Sequence, residues 1–213
     1  MRTYNARRGR RSALTVSRLE RLMPRHGIPD GRLDPRGAFG RDAPLVLDLG
    51  AGHGAAAVAY AAAHPDHDVL AVDVHTPGIA RMLASAEQRG VRNLWAHVGD
   101  AVALLEQRLR SRSVEAVHLF FPDPWPKARH AKRRFIRPHT LDLIADCLAD
   151  RGHLRVATDH ASYAEHAHAE LSEHPAFEVR PTARPAWRPT DGFEAKGMAA
   201  GRTITDLLAD VRR

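Results

Sequence analysis

From Pro44 onward, short apolar runs alternate with longer helix-forming stretches. LVLDLG and VLAVDV have the length and residue types of buried strands, and the alanine-rich stretch from Ala55 to Ala63 between them favours a helix. Three later runs, NLWAHV, AVHLFF and HLRVATD, have the same strand character. This alternation predicts an α/β fold with a doubly wound, mostly parallel sheet.

The polar positions between the strands contain signals for helix ends. Thr76 and Pro77 provide an N-cap and a first-turn proline for a helix that ends near Gly90. Ser162 and Glu165 have capping-box spacing at the start of another helix. RTITDLL near the C-terminus predicts a late edge or return strand. Further helices are predicted around Ser17 to Met23, at Ala101 to Leu109 and at Arg137 to Ala149.

Positive charge is concentrated at the N-terminus. Residues 1–25 contain eight arginines and one acid, Glu20, whereas the remaining chain has 24 bases and 24 acids. The whole net charge of +7 therefore lies in this segment. We predict a basic N-terminal arm of residues 1–42 followed by one domain of residues 43–213. Such an arm binds a polyanion such as nucleic acid, or else is a solvated tail.

Cysteine and histidine content narrows the classes of protein. The single cysteine, Cys147, excludes an internal disulfide framework and favours a reducing, cytoplasmic location. No apolar run has membrane-spanning length, and the Arg-rich N-terminus, although similar to a transit peptide, indicates no cleavage point. The 14 histidines are scattered, and His166 and His168 point to different faces of one helix, so no metal is expected.

The stretch DLGAGHG, residues 48–54, lies where the first strand turns into a helix. Gly50, Gly52 and Gly54 would let the backbone bend sharply and approach a ligand closely. Asp73 ends the second strand, where a carboxylate accepts ribose hydroxyls. Together they predict a nucleoside-containing ligand at the carboxyl ends of the strands.

Two further carboxylates lie at predicted strand ends. Asp48 would repel a pyrophosphate but attract an amino or sulfonium cation, and S-adenosylmethionine offers both. Asp100, after the third strand, is suitably placed for an adenine amino group. Alternatively, Asp48 and Asp100 cap helices. With Asp73, the three carboxylates favour S-adenosylmethionine as the cofactor.

The segment FFPDPWPKARHAKRR, residues 120–134, lies at the end of the fourth predicted strand. Phe121, Asp123 and Trp125 each precede a proline, so we expect an extended backbone at all three. This would fix Asp123 at the strand tip, facing the reactive end of the cofactor, while Trp125 stacks on a base or wedges the loop. Basic residues here and in the arm are predicted to bind the phosphates of a polynucleotide: Arg7, Arg8, Arg10, Arg129, Lys132, Arg133 and Arg134.

FPDPWPK followed by RHAKRR resembles the signature of the single-chain bacterial tRNA (guanine-N7-)-methyltransferases, which have the Rossmann-like class I methyltransferase sheet. The resemblance continues through RRGR, VLDLGAGHG, VDVHTPGI, GDA, RVATDHASYAEH and RPTDGFEAKG. It implies methyl transfer from S-adenosylmethionine to N7 of a guanosine in the variable loop of tRNA. We expect a monomer or homodimer with no obligatory protein partner.

The resemblance also implies roles for individual residues. Asp123 is catalytic. The residues that contact the cofactor are Asp48, Gly50, Gly52, Gly54, Asp73, Asp100 and Asp123. The residues that contact the substrate are Lys127, Asp159, Asp191, Gly192, Phe193 and Glu194. The family usually reads RPxTKFE where this chain reads RPTDGFE, with Asp191 at the threonine position and Gly192 at the lysine position. Thr190 could substitute by a small shift.

The chemistry requires few groups. Guanine N7 has a lone pair and no proton, so a carboxylate such as Asp123 need only stabilise the charge that develops on the base. Glu194 could accept both N1–H and the exocyclic amine of guanine. N7 lies in the deep groove of A-form RNA, so the target must lie in a loop or leave its stack.

Two alternative functions are open. One is a non-catalytic RNA-binding module on the same scaffold, which the changed TDGFE segment motivates. The other is methylation of a small molecule, which would leave both arginine clusters unused.

Overall fold

Seven strands form one sheet in the computed structural model, which describes residues 12–190 and 192–213. The strand order is β3-β2-β1-β4-β5-β7-β6; strands β1 to β5 are parallel, and β7 runs antiparallel to both of its neighbours, β5 and β6. The strands are β1 (Leu45–Leu49), β2 (Asp68–Asp73), β3 (Leu94–Val98), β4 (Val114–Phe120), β5 (Leu148–Thr158), β6 (Phe177–Pro181) and β7 (Thr205–Val211). The predicted doubly wound, mostly parallel sheet is confirmed.

Helices cover both faces of the sheet. They are α1 (Ala13–His26), α2 (Pro35–Phe39), α3 (Ala55–Ala63), α4 (Thr76–Gln88), α5 (Ala101–Gln107), α6 (Pro138–Cys147), α7 (Ala161–Glu173) and α8 (Gly192–Ala199), with a 3-10 helix at Ala128–Arg133. One apolar core lies between the sheet and α1, α3 and α4, and the other between the sheet and α5, α6 and α7. All five residues of β1 are buried, because helices pack on both of its sides.

The described part of the predicted arm packs on the sheet. Helix α1 is longer than the predicted helix around Ser17 to Met23, and its Leu22 is buried in the core with α4. His26 Nδ1 lies 2.9 Å from the carbonyl oxygen of Leu94 in β3. Whether residues 1–42 act as a separate arm stays a prediction.

Two of the predicted helix starts differ from the structure. Helix α4 begins at Thr76, so its N-cap is His75 rather than Thr76, and His75 makes no side-chain capping hydrogen bond, whereas Pro77 lies in the first turn as predicted. The capping box of Ser162 and Glu165 does not form, since α7 starts one residue earlier, at Ala161.

RTITDLL contributes to β7, which pairs with β5 on one side and β6 on the other and is therefore a return strand inside the sheet. The edge strand on this side of the sheet is β6, which the hydrophobic pattern does not predict. Among the described residues, no helix combines the length and apolar character needed to span a bilayer.

Candidate active site

The predicted site residues meet at one edge of the sheet. Strands β1 to β5 are parallel and in register, with Leu49 opposite Val72 and Phe120 opposite Ala157. Their carboxyl ends therefore bring together the turn after β1, Asp73, Asp100, the loop after β4 and Asp159. Ligands of open α/β sheets bind at this edge.

The turn after β1 depends on glycine. Gly50 and Gly54 have φ values of 73° and 74°, which other residues rarely adopt. The Gly50 N–H donates to the carbonyl oxygen of Val72 at 2.8 Å, so the turn lies against β2. A Cβ on Gly54 would lie 2.1 Å from Met82 Cγ, so a side chain there would displace α4.

Asp73 ties this turn to the one after β2. Its Oδ2 accepts the Gly52 N–H at 2.7 Å, and its Oδ1 accepts the His75 N–H at 2.7 Å. Each carboxylate oxygen can accept a further hydrogen bond, so Asp73 can hold both turns and still bind a pair of ribose hydroxyls.

Asp48 is a buried carboxylate with an unsatisfied oxygen. The residue is 3% exposed, and its Oδ2 has no hydrogen-bond partner among the described residues. Burial, with a smaller contribution from the charge of Asp73, raises the pKa of Asp48 to about 7. An unsatisfied buried acceptor is costly, and a ligand cation would relieve that cost. The site therefore fits a cofactor with an amino or sulfonium group.

The capping alternative applies to Asp100 and not to Asp48. Asp100 is the N-cap of α5, and its Oδ1 accepts the Val102 N–H at 2.7 Å. Asp48 lies within β1 and caps no helix.

The loop after β4 departs from the expected extended backbone. Phe121 and Trp125 have φ values of 52° and 42°, so the prediction is wrong for two of the three residues that precede proline. The Phe121 N–H still donates to the Ala157 carbonyl oxygen of β5 at 2.7 Å, and the chain turns away immediately afterwards. Left-handed conformations at bulky residues are strained and cluster at functional sites. The loop leaves Asp123 exposed at the sheet edge.

Two arginines brace this loop. The Arg134 Nε donates to the Pro124 carbonyl oxygen at 3.1 Å, and the Arg133 guanidinium lies 3.7 Å from the centre of the Trp125 ring. His130 approaches the same indole edge-on, with ring centroids 5.7 Å apart. An open cleft of about 270 Å³ is lined by residues of this segment: Asp123, Pro124, Trp125, Pro126, Lys127 and His130.

The predicted phosphate-binding residues fall into three groups. Arg129 and Lys132 are exposed on the 3-10 helix. Arg133 and Arg134 are partly buried and support the loop. The arm residues lie outside the described part of the chain: Arg7, Arg8 and Arg10.

The predicted substrate residues are in different environments. Lys127 is exposed beside Asp123, and Phe193 is 67% exposed near the start of α8, which opens at Gly192. Asp159 accepts a hydrogen bond from Arg202 Nε at 2.9 Å. Asp191 lies outside the described residues.

Glu194, the expected contact to guanine, is paired within the chain, and its contact with guanine stays a prediction. Glu194 is 2% exposed, with Arg184 Nε 2.6 Å from its Oε1 and Arg188 Nε 3.0 Å from its Oε2. In the structure the carboxylate is therefore enclosed and held by two arginines. Thr190 is also occupied, because its Oγ1 accepts a hydrogen bond from Arg184 at 2.8 Å.

Arg188 is an important residue that the sequence does not reveal. It is 2% exposed and bridges Glu194 to Asp206 of β7, at N–O distances of 2.6 and 2.9 Å to the two oxygens of Asp206. Its guanidinium also lies 5.0 Å from the centre of the Phe120 ring in β4. Arg188 therefore fixes the start of α8 to two strands of the sheet. The sequence gives no signal for this, because an arginine in RPAWRPT is typical of an exposed loop.

Comparisons with known proteins place the chain among methyltransferases. A family model described as "Putative methyltransferase" matches residues 42–207. The tRNA (guanine-N(7)-)-methyltransferase of Nitrosomonas europaea is 41% identical over 213 residues, which cover 98% of this chain and 95% of the relative. The protein of the same name from Halorhodospira halophila is 44% identical, over 99% of this chain and 95% of the relative.

A solved structure shows the same fold at low identity. It is a 16S rRNA (adenine(1408)-N(1))-methyltransferase from Catenulisporales acidiphilia, determined with the cosubstrate S-adenosylmethionine. The TM-score is 0.55 at 17% identity, over 87% of this chain and 96% of that chain.

Proposed function

This chain belongs to the tRNA (guanine-N(7)-)-methyltransferase family, and on that premise we propose that it transfers a methyl group from S-adenosylmethionine to N7 of a guanosine in tRNA. The family resemblance of FPDPWPK and RHAKRR is thereby confirmed. The observation that carries the proposal is the position of Asp123. It is exposed on a braced loop, at the same sheet edge as the glycine turn and the unsatisfied Asp48.

The turn after β1 and the ends of β2 and β3 would hold the cofactor. Asp48 would face its cationic groups, since Asp48 Oδ2 is buried with no partner among the described residues. Asp73 would accept the ribose hydroxyls, and the backbone at Gly50, Gly52 and Gly54 would allow close approach. Asp100 would lie near the adenine, although its Oδ1 is already engaged by the start of α5.

When bound, S-adenosylmethionine supplies an electrophilic methyl group on a sulfonium. The chain must orient guanine N7 toward that methyl group and stabilise the positive charge that forms on the base. Asp123 suits this role, because its carboxylate is exposed at the cleft and its loop is held by Arg133 and Arg134. No residue has to remove a proton from N7.

The surface around the cleft suits tRNA. Lys127, Arg129 and Lys132 are exposed cations in one short segment, and they would bind phosphates that flank the target. Phosphate contacts can offset the few kcal/mol needed to turn a base out of its stack. Phe193, exposed on α8, offers a ring on which an unstacked base can lie.

A variable-loop guanosine is the target that the family resemblance implies, because bases in a loop do not have to leave a duplex. The cytoplasm is the proposed location. Its reducing environment suits the single thiol, Cys147, which is buried and has a pKa raised to about 12 by burial. We expect no obligatory protein partner.

Nucleoside mass spectrometry tests the function directly. The chain is incubated with S-adenosylmethionine and unmodified tRNA, and the digested tRNA is examined for 7-methylguanosine. We expect 7-methylguanosine in the digest, and a tRNA with adenosine in place of the variable-loop guanosine should yield none, which locates the target. Cofactor and tRNA binding without any methylated nucleoside would contradict the proposal and favour the non-catalytic RNA-binding alternative.

A further inference from the structure

A second group of possible ligands lies at the opposite edge of the sheet, in the turn between α3 and β2. His64, Asp66 and His67 each offer one ligand atom, and these three atoms all lie within 4.8 Å of one another. The turn precedes β2, whereas the cofactor turn and Asp73 lie at the far ends of β1 and β2. The group is therefore separate from the site of methyl transfer.

Hydrogen bonds from two other parts of the chain fix the backbone of this turn. Asn93 is buried, and its Nδ2 lies 3.0 Å from the His64 carbonyl oxygen and 2.8 Å from that of His67. Arg41 donates to the carbonyl oxygens of Pro65 and His67 at 2.8 and 2.6 Å. The ligand-bearing residues are thus held in place before any ligand binds, which lowers the entropic cost of binding.

The charge of Arg41 is already balanced. Its Nε lies 2.7 Å from Oδ1 of Asp68, whose side chain is fully buried. A cation in the turn would therefore not face an uncompensated guanidinium.

The two imidazole rings are also positioned by packing. The His64 ring stacks on Tyr60 with centroids 4.2 Å apart, and the His67 ring meets His64 edge-on at 5.5 Å. His67 Nδ1 is buried and makes no hydrogen bond with the described residues, although it lies 3.2 Å from Asp66 Oδ1. The ligand atoms of His64, Asp66 and His67 are close enough to one another to share one ion.

We propose that His64, Asp66 and His67 bind one divalent ion of borderline softness, with Zn²⁺ as the best match. Two imidazole nitrogens and one carboxylate oxygen are ligands that Zn²⁺ prefers, with water completing the coordination. Mg²⁺ and Ca²⁺ are poor matches because they require oxygen ligands. The ion would add to the hydrogen bonds that already hold the α3–β2 turn and take no part in methyl transfer.

This site differs from the expectation that the chain binds no metal, which was based on the scattered histidines and on the diverging pair His166 and His168. The segment HPDH, residues 64–67, contains a better set of metal ligands. Its two histidines come together because the turn closes, with the backbone N–H of His67 donating to the His64 carbonyl oxygen at 3.1 Å. Histidine spacing alone does not reveal this geometry.

Calorimetric titration of the metal-stripped, untagged chain with ZnCl₂ tests the site. We expect one ion per chain, no comparable heat with MgCl₂, and a higher unfolding temperature with Zn²⁺. Asp66→Asn and His67→Gln should each weaken Zn²⁺ binding by about tenfold or more. Asp66 is exposed, so Asp66→Asn should fold normally.

His168→Ala is the matched control, because it removes an exposed histidine elsewhere and should bind Zn²⁺ as the parent does. The proposal would be overturned if the parent chain bound no Zn²⁺. It would also be overturned if Asp66→Asn and His67→Gln bound Zn²⁺ as strongly as the parent. Methyl transfer should be the same with and without Zn²⁺.

Discussion

Two buried carboxylates at the same edge of the sheet differ in one respect. Asp48 and Glu194 are 3% and 2% exposed, yet Asp48 Oδ2 has no partner among the described residues, whereas both oxygens of Glu194 are paired with arginines. A satisfied buried carboxylate is part of the scaffold. An unsatisfied one carries a cost that a ligand can relieve, and at the sheet edge where ligands bind this makes Asp48 a candidate ligand contact.

The difference also assigns the two halves of the sheet edge to different tasks. The half formed by β1 and β2 presents backbone turns and free acceptor capacity, which the proposed function assigns to the cofactor. The half formed by β5 and β7 is closed by Arg188, which joins Glu194 and Asp206. Between the two halves lies the loop that carries Asp123.

The largest expected effect comes from breaking the satisfied half. Arg188→Met leaves Glu194 and Asp206 buried with less compensation, so the free energy of unfolding should fall by about 3–5 kcal/mol. Chemical denaturation measures this decrease. Arg36→Met is the control, because the Arg36 side chain is 75% exposed and its pairing with Asp42 is worth little. A decrease below about 1 kcal/mol for Arg188→Met would show that the cluster is not structural.

The next effect concerns the unsatisfied half and depends on pH. A bound cation favours the ionised form of Asp48, whose pKa in the free protein is about 7. Cofactor affinity should therefore rise with pH, by up to about tenfold per unit below pH 7, and level off above it. Calorimetry at a series of pH values measures this, and Asp48→Asn should remove the dependence. A cofactor affinity that does not change with pH in the parent chain would contradict this prediction.

The same pKa predicts a change of stability in the opposite direction. The folded-state pKa of Asp48 is raised above its unfolded value of 3.8, so its contribution to stability is fully present below that value and is lost as pH rises through about 7. Without ligand, Asp48→Asn should therefore be more stable than the parent above pH 7, as measured by thermal unfolding.

A smaller effect distinguishes engaged from exposed cations in the basic segment. Arg129 and Lys132 are exposed, whereas Arg134 supports the loop through Pro124. Arg129→Ala and Lys132→Ala should weaken tRNA binding and reduce the slope of log affinity against log salt by about 0.7–0.9 for each phosphate that the variant no longer binds. Filter binding at several salt concentrations measures this slope, and an unchanged slope would exclude phosphate binding by these residues. The free energy of unfolding of Arg129→Ala and Lys132→Ala should equal that of the parent.

The sequence predicts the scaffold well because β1 and β2, at the centre of the parallel part of the sheet, are short apolar runs buried on both faces. The glycine turn is predictable for a similar reason, since few residues adopt the φ values of Gly50 and Gly54. Both features depend on local physical rules.

The missed features depend on interactions between distant parts of the chain. The left-handed φ of Phe121 and Trp125 overrides the usual preference before proline, in a loop that β5, Arg133 and Arg134 hold in place. Glu194 forms a buried ion pair with Arg188, a partner that no local pattern in the sequence identifies.

The position of Asp123 beside the methyl donor is the central claim, and single-turnover methyl transfer with Asp123→Asn tests it most directly. At saturating cofactor and tRNA, the rate should fall by about 10²–10³-fold, because the charge on the methylated base is no longer stabilised by a carboxylate. Asp30→Asn, which changes an exposed carboxylate elsewhere, should retain the parent rate. Unchanged tRNA affinity alongside the reduced rate is the predicted result. An Asp123→Asn variant that methylates guanosine at the parent rate would contradict it.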